Sequence, residues 1–137
     1  KSRAYLRMRI NKHWVSCLVD SGCELTLLPA RMVKPSQIKE TRTKVKAANG
    51  TAIPVLGTTC VKGKIGNDTV TIRGLVSEQV SEPMLSIEWL KENKALWDFD
   101  KGTLRLRGRT HRLVSRECED TWVRRVVIAD DIDIPAQ

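Results

Sequence analysis

Asp20-Ser21-Gly22 is the stretch with the clearest chemical content in this chain. An apolar run, Cys17-Leu18-Val19, delivers one carboxylate, then a hydroxyl, then a glycine, and a second apolar run, Leu25-Thr26-Leu27-Leu28, follows before Pro29. Asp20 is therefore expected in a tight turn at the end of a buried strand. Ionising a carboxylate in a low-dielectric site is costly unless something shares the site with it. The tripeptide also occurs in ordinary turns, so its meaning depends on the elements around it.

Those elements read as short strands. Tyr5 to Ile10 alternates apolar and basic residues, as a half-buried strand does, and Asn11-Lys12 turns it into a second strand, His13 to Val19, which feeds Asp20. Leu25 to Leu28 is a third strand, and a turn of helix or a loop is expected around Pro35. Thr43 to Ala48 and Thr51 to Gly57 flank Asn49-Gly50, the strongest turn signal present, and so predict a β-hairpin with a small-residue tip. Thr59 to Ile65 and Thr69 to Val76 are two more strands around the turn Gly66-Asn67-Asp68. Met84 to Asn93 has helical spacing, with Ile87 and Leu90 on one face. Ala95 to Phe99 and Thr103 to Arg107 form a closing hairpin around Asp100-Lys101-Gly102. Many closely spaced strands and one short helix predict a small closed all-β barrel.

The order of these parts resembles the retropepsin type of aspartic protease, and most of all the protease of gypsy-type (Ty3/gypsy) LTR retrotransposons. The resemblance spans roughly residues 4–107 and rests on the Asp20-Ser21-Gly22 turn between apolar runs, the hairpin at Asn49-Gly50, the helical segment and the closing hairpin. It implies a retropepsin-like (acid protease) β-barrel with one short C-terminal helix, forming one half of a two-fold symmetric dimer. It implies an aspartic endopeptidase with Asp20 as the catalytic residue and Ser21 and Gly22 completing the active-site loop. Ser21 would brace that loop by a hydrogen bond across the dimer; a hydroxyl bonding its own turn is the plainer alternative. Ala47, Ala48, Asn49, Gly50 and Thr51 would be the flap, the mobile hairpin that closes over a substrate, although a plain surface hairpin has the same composition. Ser86 departs from the pattern, because glycine is usual there, and its hydroxymethyl is expected to crowd the catalytic loop.

Peptide hydrolysis by this route needs two carboxylates. One, ionised, takes a proton from water; the other, protonated, donates to the scissile carbonyl oxygen. The chain carries a single Asp-Ser-Gly, and Asp98, Asp100, Asp130, Asp131 and Asp133 lack the apolar-flanked turn. The second carboxylate is thus expected from a second copy of the chain, in a homodimer. The substrate would be an extended peptide held as an added strand between flap and Asp20 loop. By resemblance it is the element's own Gag-Pol polyprotein, in the cytoplasm or within virus-like particles. No metal or organic cofactor is required. A dimer of this kind that binds peptide without cutting it is the alternative that Ser86 motivates.

Composition excludes several other classes. With 137 residues the chain suits one compact domain, and no apolar run reaches the roughly 20 residues of a helical membrane span. Lys1-Ser2-Arg3 leads into alternating residues, unlike a signal peptide, and the missing Met reads as a piece of a longer polypeptide. Cys17, Cys23, Cys60 and Cys118 form no C-x-x-C pair and lie far from His13 and His111 in sequence, so no zinc site is expected. Net charge is +8, but the basic residues are scattered and aromatic residues few, so a nucleic acid is not expected as the main partner. Residues 1–108 are basic by nine and residues 109–137 acidic by one. The first range is read as the protease domain and the second as a connector toward a downstream polymerase region, with strands possible at His111 to Val114 and Trp122 to Ile128.

Overall fold

The computed structural model describes residues 2–47, 49–117 and 126–128. Strands β1 (Ser2–Ile10) and β2 (His13–Val19) form the first hairpin. Asn11 and Lys12 make its turn with φ of +50° and +71°, the left-handed pair that a two-residue hairpin turn requires. The alternation of the sequence becomes two faces: Leu6, Met8 and Ile10 are buried while Arg7 and Arg9 are exposed.

The chain continues through β3 (Leu27–Pro29), two 3-10 turns, β4 (Val45–Ala47), β5 (Ala52–Ile53), β6 (Gly57–Ile65), β7 (Asp68–Ser77) and β8 (Met84–Leu85). Helix α1 (Ile87–Glu92) and strands β9 (Leu96–Asp98), β10 (Thr103–Leu106), β11 (Arg109–Arg112), β12 (Val114–Glu117) and β13 (Val126–Ile128) follow. Six strands close on themselves in the order β1-β2-β8-β3-β7-β6, with β6 returning to β1 at Arg9 and Ile10. Closure removes the open edges that a sheet of this size would otherwise expose. The pairings β2–β8 and β3–β7 are parallel; the others around the ring are antiparallel. Two small sheets flank the barrel, β11-β10-β9 and β13-β4-β5. The mostly β barrel with one short helix is the architecture expected from the sequence.

The interior holds two apolar clusters. The larger joins Leu6, Met8, Leu28, Ile72 and Leu85 to Trp89 of α1, whose indole N–H donates to the Thr71 carbonyl at 3.0 Å. The smaller gathers Tyr5, Leu18, Cys23, Leu27, Val45 and Met84. It ties the root of the β4–β5 hairpin to the residues flanking Asp20.

Two segments differ from the sequence reading. Met84 and Leu85, expected as the first turn of the helix, are extended instead, because pairing with β2 claims their neighbourhood: Leu18 N–H donates to the Pro83 carbonyl at 2.8 Å and Asp20 N–H to the Leu85 carbonyl at 3.0 Å. In residues 109–117, the single strand expected at His111 to Val114 is replaced by two, β11 and β12, that meet around Leu113. β12 lies along Ser2–Tyr5 on the edge of β1 that β6 leaves open, with Arg116 over the Tyr5 ring at 4.8 Å. Arg109 and His111 reach the Asp68 carboxylate at 3.0 and 3.4 Å. Of the strand expected at Trp122 to Ile128, residues 126–128 are a strand and residues 122–125 lie outside the described residues.

Candidate active site

Asp20 follows the last residue of β2, and backbone bonds hold it there. Its N–H donates to Leu85, its carbonyl accepts the Cys23 N–H at 3.0 Å, and its Oδ1 accepts the Gly22 N–H at 3.0 Å. Its other carboxylate oxygen, Oδ2, is buried without any hydrogen-bond partner, alone in this among the side-chain atoms of the described residues. Buried polar atoms in folded proteins are nearly always paired, and an unpaired one costs about 1–3 kcal/mol. Ser21 and Gly22 are exposed beside Asp20.

A second layer locks the turn to the helix. Ile87 N–H donates to the Cys23 carbonyl at 3.0 Å. Ser86, fully buried, caps α1: its Oγ accepts the Trp89 N–H at 3.2 Å and lies 2.9 Å from Thr26 Oγ1, which in turn accepts the Ser86 N–H at 3.1 Å. The expected crowding by Ser86 is therefore not what the geometry shows. Its hydroxyl fits as a helix cap and as a clasp on Thr26, six residues after Asp20. Serine is a favoured residue at a helix start, a signal masked in the sequence because helical spacing extends back to Met84. Ser86→Ala is expected to cost about 1–2 kcal/mol, read as a lower urea midpoint at unchanged slope.

The hairpin expected as the flap forms around the predicted turn. Gly50 N–H donates to the Ala47 carbonyl at 2.9 Å, Ala47 N–H to the Thr51 carbonyl at 2.8 Å, and Thr51 N–H to Asn49 Oδ1 at 2.9 Å. Gly50 takes φ of +88°, a conformation that favours glycine. Ala47 is buried, whereas Asn49, Gly50 and Thr51 are exposed; Ala48 lies outside the described residues.

Beside Ser21, a pocket of about 250 Å³ is lined by Ile87, Leu90, Trp97, Phe99 and Leu104. Trp97 and Phe99 stack at 4.6 Å, yet Leu96, on the strand that ends its sheet, is 64% exposed and Phe99, in the turn just after it, 77%. The sequence reading did not single out these residues; their exposure depends on what the rest of the fold packs against them. A larger cavity of about 680 Å³, lined by Cys60, Arg73, Glu88 and Glu92 among others, includes neither Asp20 nor the hairpin tip and is not read as the peptide site. The scattered charges gather in one place, where Arg7 and Arg9 lie 5.6 and 5.8 Å from the exposed ring of Trp14 and Lys64 pairs with Arg9. A single ring there is short of a stacking platform.

The thiols differ sharply. Burial, aided by the charge of Glu82, pushes the Cys17 thiol up to about 12, so it stays protonated and inert at neutral pH. Cys60 is exposed on β6. A thiol-specific alkylating reagent at pH 8 is expected to modify Cys60 within minutes and to spare Cys17 in the folded chain, as read by peptide mapping. Equal labelling of both would contradict the burial of Cys17.

The closed six-stranded barrel, with an Asp20-Ser21-Gly22 turn hung between β2, β3 and β8, defines a retropepsin-like fold. The retroviral protease-like domain of Ddi1 from Leishmania major superposes on it with a TM-score of 0.67 at 14% identity, over 82% of this chain and 93% of that one. A retropepsin-like aspartic protease from Rickettsia conorii gives 0.47 at 18% identity, over 82% of each chain. Among curated proteins, DNA damage-inducible protein 1 of Candida glabrata (strain ATCC 2001 / BCRC 20586 / JCM 3761 / NBRC 0622 / NRRL Y-65 / CBS 138) is 28% identical over 111 residues, 78% of this chain. The chain spans about a quarter of the length of that relative, 26%. No protein-family model matches the chain.

Proposed function

We propose that this chain is a homodimeric aspartic endopeptidase in which Asp20 of each subunit supplies one carboxylate of a shared dyad. The observation that carries the reading is the buried Asp20 Oδ2 without a hydrogen-bond partner, in a turn whose other carboxylate oxygen accepts the Gly22 N–H. A second Asp20 brought to the same place by a two-fold axis, with one proton and one water between the pair, gives that oxygen its partner. The ionised carboxylate takes a proton from the water as it attacks the scissile carbonyl carbon. The protonated one donates to the carbonyl oxygen, and proton return to the amine releases the two peptides.

Geometry supports the dimer from a second side. The exposed Phe99 lines the pocket that contains Ser21, Leu96 is exposed on β9, and β9 leaves one edge unpaired among the described residues. Apolar side chains on an unpaired edge suit strand-to-strand contact with a second copy. In this reading Ser21 braces the loop across the axis, and the hairpin tip, Ala47 to Thr51, is the flap. The substrate is an extended peptide; by sequence resemblance we place it in the Gag-Pol polyprotein of a gypsy-type retrotransposon, cut in the cytoplasm or in virus-like particles. The residues after the barrel would lead toward the polymerase region. The likeness to a protein named DNA damage-inducible protein 1 favours a second reading of the substrate, a cellular protein, with the same chemistry. The non-cutting alternative rests on Ser86, whose hydroxyl caps α1 and meets Thr26.

Incubated with a mixed peptide library at mildly acidic pH, the chain is expected to cut internal peptide bonds. Absence of cutting at concentrations where it is demonstrably dimeric would contradict the reading.

A further inference from the structure

The β4–β5 hairpin carries a third strand. β13 runs antiparallel to β4, with Val126 opposite Ala47, Val127 opposite Lys46 and Ile128 opposite Val45. The directions of the backbone groups follow from the hairpin. Ala47 N–H bonds Thr51 on the β5 side, so by strand alternation Val45 also faces β5, and Lys46 presents its N–H and C=O to the opposite edge. That is the edge β13 occupies, and Lys46 and Val127 form its hydrogen-bonding pair. The other edge of the hairpin is a poor acceptor of a strand. There only Ala52 faces outward before Pro54, which has no N–H to offer. An extended peptide held by this hairpin through backbone bonds would therefore have to use the Lys46 edge.

We infer that residues 126–128 are a built-in occupant of the peptide site: β13 sits where an incoming peptide strand would sit, and the chain competes in cis with its own substrate. The inference rests on the reading of the hairpin as the flap. Three consecutive β-branched residues suit the role, because they favour extended backbone without help from a particular partner. Tethering makes the occupant present at high effective concentration, and a substrate must displace it, which raises the apparent KM by the reciprocal of the fraction of chains in which the edge is free.

The test uses the full chain. Val127→Pro deletes the N–H that faces Lys46 and blocks the pairing. Amide hydrogen exchange at Lys46 is expected to rise at least about tenfold, with β1 and β7 amides unchanged. KM for library peptides is expected to fall at least about fivefold at unchanged kcat. A triple variant, Val126→Gly, Val127→Gly, Ile128→Gly, keeps every N–H, lowers strand propensity and is expected to shift both readouts the same way. A synthetic peptide with the sequence of residues 122–131, added to the Val127→Pro chain, is expected to restore Lys46 protection and to inhibit cutting. Unchanged Lys46 exchange in both variants overturns the inference. Faster Lys46 exchange with an unchanged KM overturns the competition while leaving the protease reading intact. Restored Lys46 protection without cutting of any peptide by any variant supports strand capture and instead removes the protease reading.

Discussion

Asp20→Asn is expected to abolish peptide cleavage and leave the barrel intact. General acid–base catalysis by a positioned carboxylate contributes about 10²–10⁴ in rate. In the proposed dimer one substitution alters both members of the dyad, so a loss of more than about 10³ in kcat is expected. Stability should be nearly unchanged. Asparagine has the same shape, keeps an acceptor for the Gly22 N–H and puts its amide nitrogen where Oδ2 lies. The cleavage rate should therefore fall while the thermal midpoint stays in place. A variant that lost both together would mean that Asp20 is a structural residue of the turn.

The second large effect is expected at Phe99 and Leu96. Both are mostly exposed in a single chain, so replacing either should leave the barrel folded. In a two-fold interface every substitution counts twice. Burying an aromatic or leucine side chain is worth about 1.5–3 kcal/mol, so losing two copies weakens the dimer by about 3–6 kcal/mol, or about 10²–10⁴ in Kd. Phe99→Asp is expected to give a folded monomer by light scattering and circular dichroism, with cleavage below detection at micromolar protein. Phe99→Ala is expected to recover activity as its concentration is raised, which Asp20→Asn cannot do. A Phe99→Asp chain that remained dimeric and active would place the interface elsewhere.

Much of the barrel was legible before any coordinates. The alternation in Tyr5 to Ile10 and the turns at Asn11-Lys12, Asn49-Gly50 and Gly66-Asn67 are local signals, and their strands formed within a few residues of where they were expected. The position of Asp20 was legible for the same reason, since two apolar runs can leave a carboxylate between them only in a turn. What escaped was decided by partners far away in sequence. Met84-Leu85 has helical spacing yet is drawn straight by β2, more than sixty residues earlier. Val114 to Glu117 is exposed along its whole length and carries no amphipathic pattern; it is a strand because Ser2–Tyr5 has an edge to fill. Ser86 escaped as a cap because helical spacing extends back to Met84 and places it inside the helix; pairing with β2 straightens Met84-Leu85 and leaves Ser86 at the helix start. The missing partner of Asp20 Oδ2 is an intermediate case. The single motif in the sequence raised the question of a second carboxylate, and the buried Oδ2 without a hydrogen-bond partner could be seen only once the turn was folded.

The central claim, that one active site takes one Asp20 from each of two chains, is tested most directly by mixing. Wild-type and Asp20→Asn chains are combined at equal amounts and constant total concentration, well above the dimer Kd, left to exchange subunits, and assayed on the same peptide. If both carboxylates are needed, only wild-type pairs cut, and activity falls to about one quarter of that of wild type alone. If each chain is a complete catalyst, activity falls only to about one half, and the shared dyad is wrong.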